Sequence, residues 1–194
     1  MNYGVLVVGW LVYFLFHSVL ASAAVKRIGE ATLGTGYRYY RLVYSIISTV
    51  GLLAMLMING SIEAPYYMEP TGWIRYTSFV FTAFGVMLIQ VSFRQYKLRS
   101  FLGFAPERHG LRRDGVLGWI RHPIYSGLIL IIIGFFLFIP NFPTLISCLC
   151  MLIYLPLGIW LEERKLVKEY GSAYEEYRKE VPSIIPRWSK ISSN

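Results

Sequence analysis

Charge is scarce in this chain of 194 residues: 15% are Asp, Glu, Lys or Arg, and 55% are hydrophobic. That balance is too poor in charge for a soluble domain of this size. Whole stretches avoid basic residues: residues 63–72 hold no Lys or Arg, only Glu63 and Glu69, and the connection Pro140-Asn141-Phe142-Pro143 holds neither sign. Cysteine is nearly absent too. Cys148 and Cys150 stand two apart in an apolar segment, where a helix points them to different faces. This excludes a disulfide or a metal pair between them and leaves small apolar packing. There is no P-loop, no Gly-x-Ser-x-Gly and no His-Glu-x-x-His, and Gly34-Thr35-Gly36 lacks the third glycine of a dinucleotide fingerprint. Any cofactor must therefore be held by the helical architecture itself. Linkers, repeats and low-complexity tracts are also missing, so residues 1–194 read as a single polytopic membrane domain.

What is present is long apolar runs. A helix needs about 20 apolar residues to cross a bilayer core of about 30 Å. Residues 3–25, 39–59, 73–93, 123–139 and 144–161 qualify or nearly do. They predict an all-α integral membrane protein of about five spans, the last two a short antiparallel hairpin, with a cytoplasmic C-terminal helix after them. Pro156 interrupts the fifth segment, which neighbouring helices make tolerable. The basic residues alternate: eighteen of 19 fall around the first connection, in the third, or in the C-terminal tail, the exception being Arg75. By the positive-inside rule the N-terminus is expected outside and the tail in the cytoplasm. The net charge of +8 is then the cytoplasmic bias of a membrane protein, and no separable basic face calls for nucleic acid. The first segment is too long for a signal peptide and lacks a basic start, so it reads as a retained span. Asn59-Gly60-Ser61 matches a glycosylation acceptor but is first of all a turn.

Chemistry-bearing residues gather at the expected cytoplasmic ends. Arg121-His122-Pro123-Ile124-Tyr125-Ser126-Gly127 opens the fourth segment and Glu162-Glu163 closes the fifth, so the short hairpin brings the two together. His122 and Tyr125, three apart, share a helix face, and Pro123 suits a first helical turn. The following amides, with the positive end of the helix dipole, suit an anion. The plainer reading makes His122 and Tyr125 interfacial anchors. Glu162 and Glu163 at a helix end would be opposed by the dipole, which suggests a cationic ligand; otherwise they mark where the helix leaves the bilayer. Residues 94–120, rich in glycine, read as a loop able to wrap a ligand. Residues 162–180 read as an amphipathic helix that Gly171 weakens and Pro182 stops. His17 lies inside the first span, where an ionisable group marks function or bonds another helix.

The two motifs, with Tyr170-Gly171, Tyr174, Tyr177 and Val181-Pro182, resemble the isoprenylcysteine carboxyl methyltransferase family, whose pattern the phospholipid N-methyltransferases share. The resemblance covers roughly residues 93–188. It implies a methyltransferase using S-adenosylmethionine and releasing S-adenosylhomocysteine, with 1–93 as three N-terminal spans and 94–194 as the cofactor-binding half. By motif, Arg121, His122, Pro123, Ile124 and Tyr125 would line the cofactor, and His109, Gly110, Leu111 and Arg112 would cover it with Leu117 nearby. Glu162, with Glu163 beside it, matches the family's cofactor glutamate, and Gln95 is a further contact. His122, Tyr125 and Glu163 are the candidates for acting at the reacting groups. Prenylcysteine-methylating members carry an arginine one turn before that glutamate; Gly158 stands there. This leaves the acceptor, lipophilic or small, unassigned among carboxylates, amines and thiols. The rivals are a nicotinamide-dependent reductase of the sterol reductase type, using Arg108, Arg112 and Arg113 for a phosphate, and a non-enzymatic assembly protein.

Overall fold

The structure, a computed structural model, describes residues 3–95 and 110–187. Helix α1 (Tyr3–Ala21) is followed at once by α2 (Ala23–Leu33), a 3-10 stretch (Gly34–Tyr39), α3 (Tyr40–Gly60) and α4 (Gly72–Gln95). A 3-10 turn (Gly115–Gly118) then precedes α5 (Pro123–Phe138), α6 (Phe142–Tyr170) and α7 (Ser172–Glu180). No strand occurs among the described residues beyond an isolated bridge between Tyr66 and Asn141.

Four of these helices are long and apolar enough to cross a membrane: α1, α3, α4 and α6. α5 has 16 residues, about 24 Å at ~1.5 Å per residue, short of the ~30 Å core. The chain is a multi-pass, all-α membrane protein. The apolar segments expected from the sequence sit where these helices stand, with two corrections. The first helix stops at Ala21 rather than running to Val25, because the Ser22 hydroxyl accepts the Val25 amide at 3.3 Å and caps a new helix. The fifth does not end at its glutamates. α6 continues through Pro156 to Tyr170, since the stretch after Trp160 is rich in strong helix formers. Leu166, Val167 and Tyr170 also pack on the buried Tyr174, Tyr177 and Val181. Glu162 and Glu163 therefore lie in a helix interior, and no dipole opposes them. The amphipathic helix expected over 162–180 is instead cut at Gly171, whose φ of +55° breaks it into the end of α6 and α7.

Two helix pairs are joined through α6. α4 lies against α5 through bare glycines: a Cβ on Gly127 would stand 2.7 Å from the Gly85 carbonyl oxygen, and one on Gly85 2.5 Å from that of Gly127. Small residues let helix backbones approach where lipid supplies no hydrophobic drive. α1 pairs with α3, Tyr13 covering Gly51. α6 is pinned to that pair by a buried polar chain: Trp10 Nε1 donates to Ser147 Oγ (2.8 Å), Ser147 Oγ to Asn59 Oδ1 (2.9 Å), and Asn59 Nδ2 to Thr144 Oγ1 (3.1 Å). Cys148 faces α5, its thiol reaching the Ile132 carbonyl at 3.6 Å, while Cys150 packs toward α1. At one end the Tyr67 amide donates to the Pro140 carbonyl at 2.8 Å, tying the 61–71 loop to the hairpin turn. The site stands at the other end.

Candidate active site

Each side chain of the site is placed by a helix end or by the helix that runs past it. Pro123 opens α5 with His122 as its N-cap residue, and no side chain caps that end. The first-turn amides of Ile124 and Tyr125 have no partner within the helix. The amides just before them are occupied: Arg121 N–H donates to the Pro182 carbonyl and His122 N–H to that of Ser183, both at 2.9 Å. Ser126 Oγ donates to the Ile184 carbonyl at 2.7 Å, and Arg121 Nε to that of Val181 at 2.9 Å. Residues 181–184 thus form a strap across the start of α5.

The two glutamates occupy different electrostatic positions. Glu163 is held by the Arg121 guanidinium in a close ion pair, and Arg178 Nε of α7 approaches its other oxygen at 3.5 Å. His122 Nε2 also reaches Glu163, at 3.2 Å. Glu163 is 15% exposed at its side chain and Arg121 9%, so this is a half-buried clamp joining α5, α6 and α7. Glu162 is 43% exposed and lies 3.8 Å from His122 Nδ1. The Tyr125 hydroxyl is directed at the Glu162 carboxylate, and the Tyr125 ring meets His122 edge-on, 5.7 Å between centroids. Gly158 seats that phenol: a Cβ there would come within 3.0 Å of its oxygen. Glu162 is the carboxylate left open, beside an imidazole and a phenol and one turn above a bare backbone.

Behind the clamp, Tyr174 is 1% exposed and its hydroxyl has no hydrogen-bond partner of good geometry, although it lies beside Arg121. Burial, and then the charge of Glu163, push its phenol up to about 12, against a smaller opposing effect of Arg121. Tyr177 donates to the Leu117 carbonyl at 2.6 Å. Arg113 packs over the Tyr177 ring, pairs with Glu180 at 3.8 Å and donates to the Ala173 carbonyl. These contacts fix the 110–121 segment against α7.

Of the residues singled out by sequence, Arg121, His122, Tyr125, Glu162 and Glu163 meet. Pro123 is buried and Ile124 half-buried at the same helix start. Leu111 packs in the tyrosine cluster, Leu117 is buried beside it, and Arg112 is half-buried while Gly110 is exposed. His109, Arg108 and the side chain of Gln95 lie outside the described residues. Arg113, one of the expected phosphate ligands of the reductase alternative, is engaged by α7. No sequence pattern marked Arg178, the bond from Ser126 to Ile184, or the strap itself. Val181-Pro182 carried a usable signal, because a residue before proline is held extended. His17 sits where it was expected, hydrogen-bonded to α3 through Ser48 Oγ and Tyr44 Oη, each at 3.2 Å.

The family described as NnrU protein matches residues 5–190. A protein-S-isoprenylcysteine O-methyltransferase of Schizosaccharomyces pombe is 39% identical over 79 residues, 40% of this chain and 34% of the relative. A methanethiol S-methyltransferase of Crocosphaera subtropica is 37% identical over 74 residues, 38% of this chain and 28% of the relative. Methanethiol S-methyltransferase 2 of Bradyrhizobium diazoefficiens is 26% identical over 190 residues, 88% of this chain and 68% of the relative. The chain spans about a third of the length of the first two. No solved structure matches.

Proposed function

The chain belongs to the NnrU protein family, and we propose that it is an integral membrane methyltransferase taking a methyl group from S-adenosylmethionine. The resemblance to isoprenylcysteine carboxyl methyltransferases read from its motifs is supported by relatives that bear methyltransferase names. The observation that carries the proposal is the division of labour between adjacent glutamates. Glu163 is consumed by Arg121, Arg178 and His122, whereas Glu162 stays open beside His122 and Tyr125.

That set fits the donor's chemistry. S-adenosylmethionine carries a sulfonium and an ammonium, which the Glu162 carboxylate and the Tyr125 oxygen and ring suit. Its carboxylate suits the free first-turn amides of α5. When bound, the donor supplies an activated methyl for in-line displacement. The protein's part is then placement and exclusion of water. Glu163 and Arg121 hold the three helices in register, the strap closes the start of α5, and Tyr125 over Gly158 borders the reacting centre. His122, buried between the two carboxylates, can take a proton if the acceptor is protic; a carboxylate acceptor needs no base.

The acceptor is lipophilic or small, and the alternation of basic residues supports a cytoplasmic site with the N-terminus outside. The test is transfer of labelled methyl from S-adenosylmethionine, with the protein in membranes, to a panel of prenylated cysteines, lipids and thiols. The reading predicts label on at least one class. No transfer to any, with reduction of a sterol substrate by NADPH instead, overturns it.

A further inference from the structure

The His122 side chain is 1% exposed and lies between the two glutamates of α6, each at a different ring nitrogen. Nε2 stands 3.2 Å from Glu163 Oε1, within hydrogen-bond reach. Nδ1 stands 3.8 Å from Glu162 Oε2, beyond it. Both oxygens of Glu163 face cations: Oε1 is also taken by the Arg121 guanidinium, and Oε2 is approached by Arg178 Nε at 3.5 Å. A carboxylate set between two guanidinium groups accepts hydrogen bonds and donates none. The contact at 3.2 Å therefore requires the proton on Nε2. A neutral imidazole has one N–H and one lone pair, so the lone pair is left on Nδ1, on the side of the open Glu162. The backbone under the ring is fixed by the bond from the His122 amide to the Ser183 carbonyl at 2.9 Å, and Tyr125 packs edge-on against the ring itself.

We propose that Glu163 is a positioning residue: it fixes His122 as the Nε2–H tautomer and so presents a bare Nδ1 toward Glu162 and the methyl donor. This assignment rests on the methyltransferase reading above and names the atom at which His122 receives a proton. When an acceptor bearing N–H or S–H is methylated, its nitrogen or sulfur forms the bond to the methyl carbon as the methyl–sulfonium bond breaks. That bond's electron pair returns to the donor sulfur. The acceptor's proton goes to Nδ1, giving an imidazolium flanked by two carboxylates. It then leaves through Glu162, whose 43% exposure opens it to water. With the proton on Nδ1 instead, the ring would turn a lone pair to Glu163 and offer the acceptor no base. Arg121 and Arg178 act one step further out, by supplying the counter-charge of Glu163. A carboxylate that orients an imidazole in this way decides which nitrogen is available without itself taking the proton.

The experiment uses the full chain in detergent micelles, carrying isotope-labelled histidine and no cofactor. The chain has three histidines, and His122→Asn identifies the signals of this ring. Long-range nitrogen–proton magnetic resonance spectra, recorded as pH is raised until the ring shows one bare nitrogen, read the tautomer directly. The expected result for the unmodified protein is a bare Nδ1 and a proton on Nε2 that resonates downfield and exchanges slowly. In Glu163→Gln the carboxamide can donate as well as accept, so the ratio of Nε2–H to Nδ1–H should fall about tenfold or more. Glu162→Gln changes a group outside hydrogen-bond distance of the ring and should not lower that ratio. Nδ1–H in the unmodified protein, a ratio unmoved by Glu163→Gln, or an equal fall in Glu162→Gln would each overturn the assignment while leaving the methyltransferase reading intact. The Nε2 proton of the unmodified protein decides the matter even where Glu163→Gln does not fold, since its absence is contrary to the assignment. Failure of the unmodified protein to bind S-adenosylhomocysteine would instead sink the methyltransferase reading.

Discussion

At the scale of residues, two neighbouring carboxylates do different work, and substitution separates them. Glu163→Gln leaves Arg121, 9% exposed, without its counter-charge. An uncompensated buried cation is costly, so the variant should lose about 1–3 kcal/mol, the lower end reflecting the clamp's partial exposure. Thermal unfolding should show the drop. Glu162→Gln touches a side chain that is 43% exposed and should leave Tm nearly unchanged. Tyr174 adds a pH dependence with a definite sign. Its phenol is raised from 10.0 to about 12, so its contribution to stability is complete below pH 10 and is lost as pH climbs from about 10 to 12. Tyr174→Phe should flatten that decline, which a chemical-denaturation series across the alkaline range would measure. An identical slope in both proteins would mean that the phenol titrates alike in the folded and unfolded states.

At the scale of elements, the strap and the glycine contact carry most of the site's placement. Residues 181–184 cover the backbone amides of Arg121 and His122, so these should exchange hydrogen slowly for residues in an irregular segment. Removing the chain after Val181 should speed them to the rate of open loops and leave the amides of α4 unaffected. Gly127→Ala would put a methyl 2.7 Å from the Gly85 carbonyl oxygen, against backbone that cannot rotate aside. Overpacking of this kind costs about 1–3 kcal/mol, and in this pair it also tilts the helix whose first turn forms the site. Both stability and cofactor binding should fall, whereas Glu163→Gln is expected to act mainly on stability.

These elements also show what was legible in advance. The spans could be read because an apolar run of fixed length is the only way to cross lipid with every backbone group satisfied. His122, Tyr125 and Glu162 could be read because a four-residue connection leaves the hairpin no other arrangement. The end of the fifth helix was misplaced because hydropathy reports where lipid ends, while helix propensity and the packing of Tyr170 on α7 decide where the helix ends. The capture of Glu163 by Arg178 was hidden for a different reason: it depends on the chain reversing at Gly171, and no local pattern fixes the direction of that turn.

At the scale of the molecule, the chain is two helix pairs joined by one long helix that leaves the membrane and carries the glutamates with it. Tyr154, at membrane depth, and the open carboxylate of Glu162 are therefore attached to the same rigid rod, about 12 Å apart along its axis at ~1.5 Å per residue. In the proposed reading the donor reaches this rod from water on the cytoplasmic side. The orientation this requires can be checked with single cysteines in a Cys148→Ala/Cys150→Ala background. Ser61→Cys should be labelled by a membrane-impermeant maleimide from outside intact cells, and Ser172→Cys only after lysis.

Glu162, with His122 and Tyr125, is proposed to hold a sulfonium cofactor, which calorimetric titration with S-adenosylhomocysteine and with NADPH checks. The unmodified protein should bind S-adenosylhomocysteine and not NADPH, and Glu162→Gln should weaken this binding at least about tenfold, some 1.4 kcal/mol, without lowering Tm. Equal affinity in the variant, or binding of NADPH alone, would contradict it.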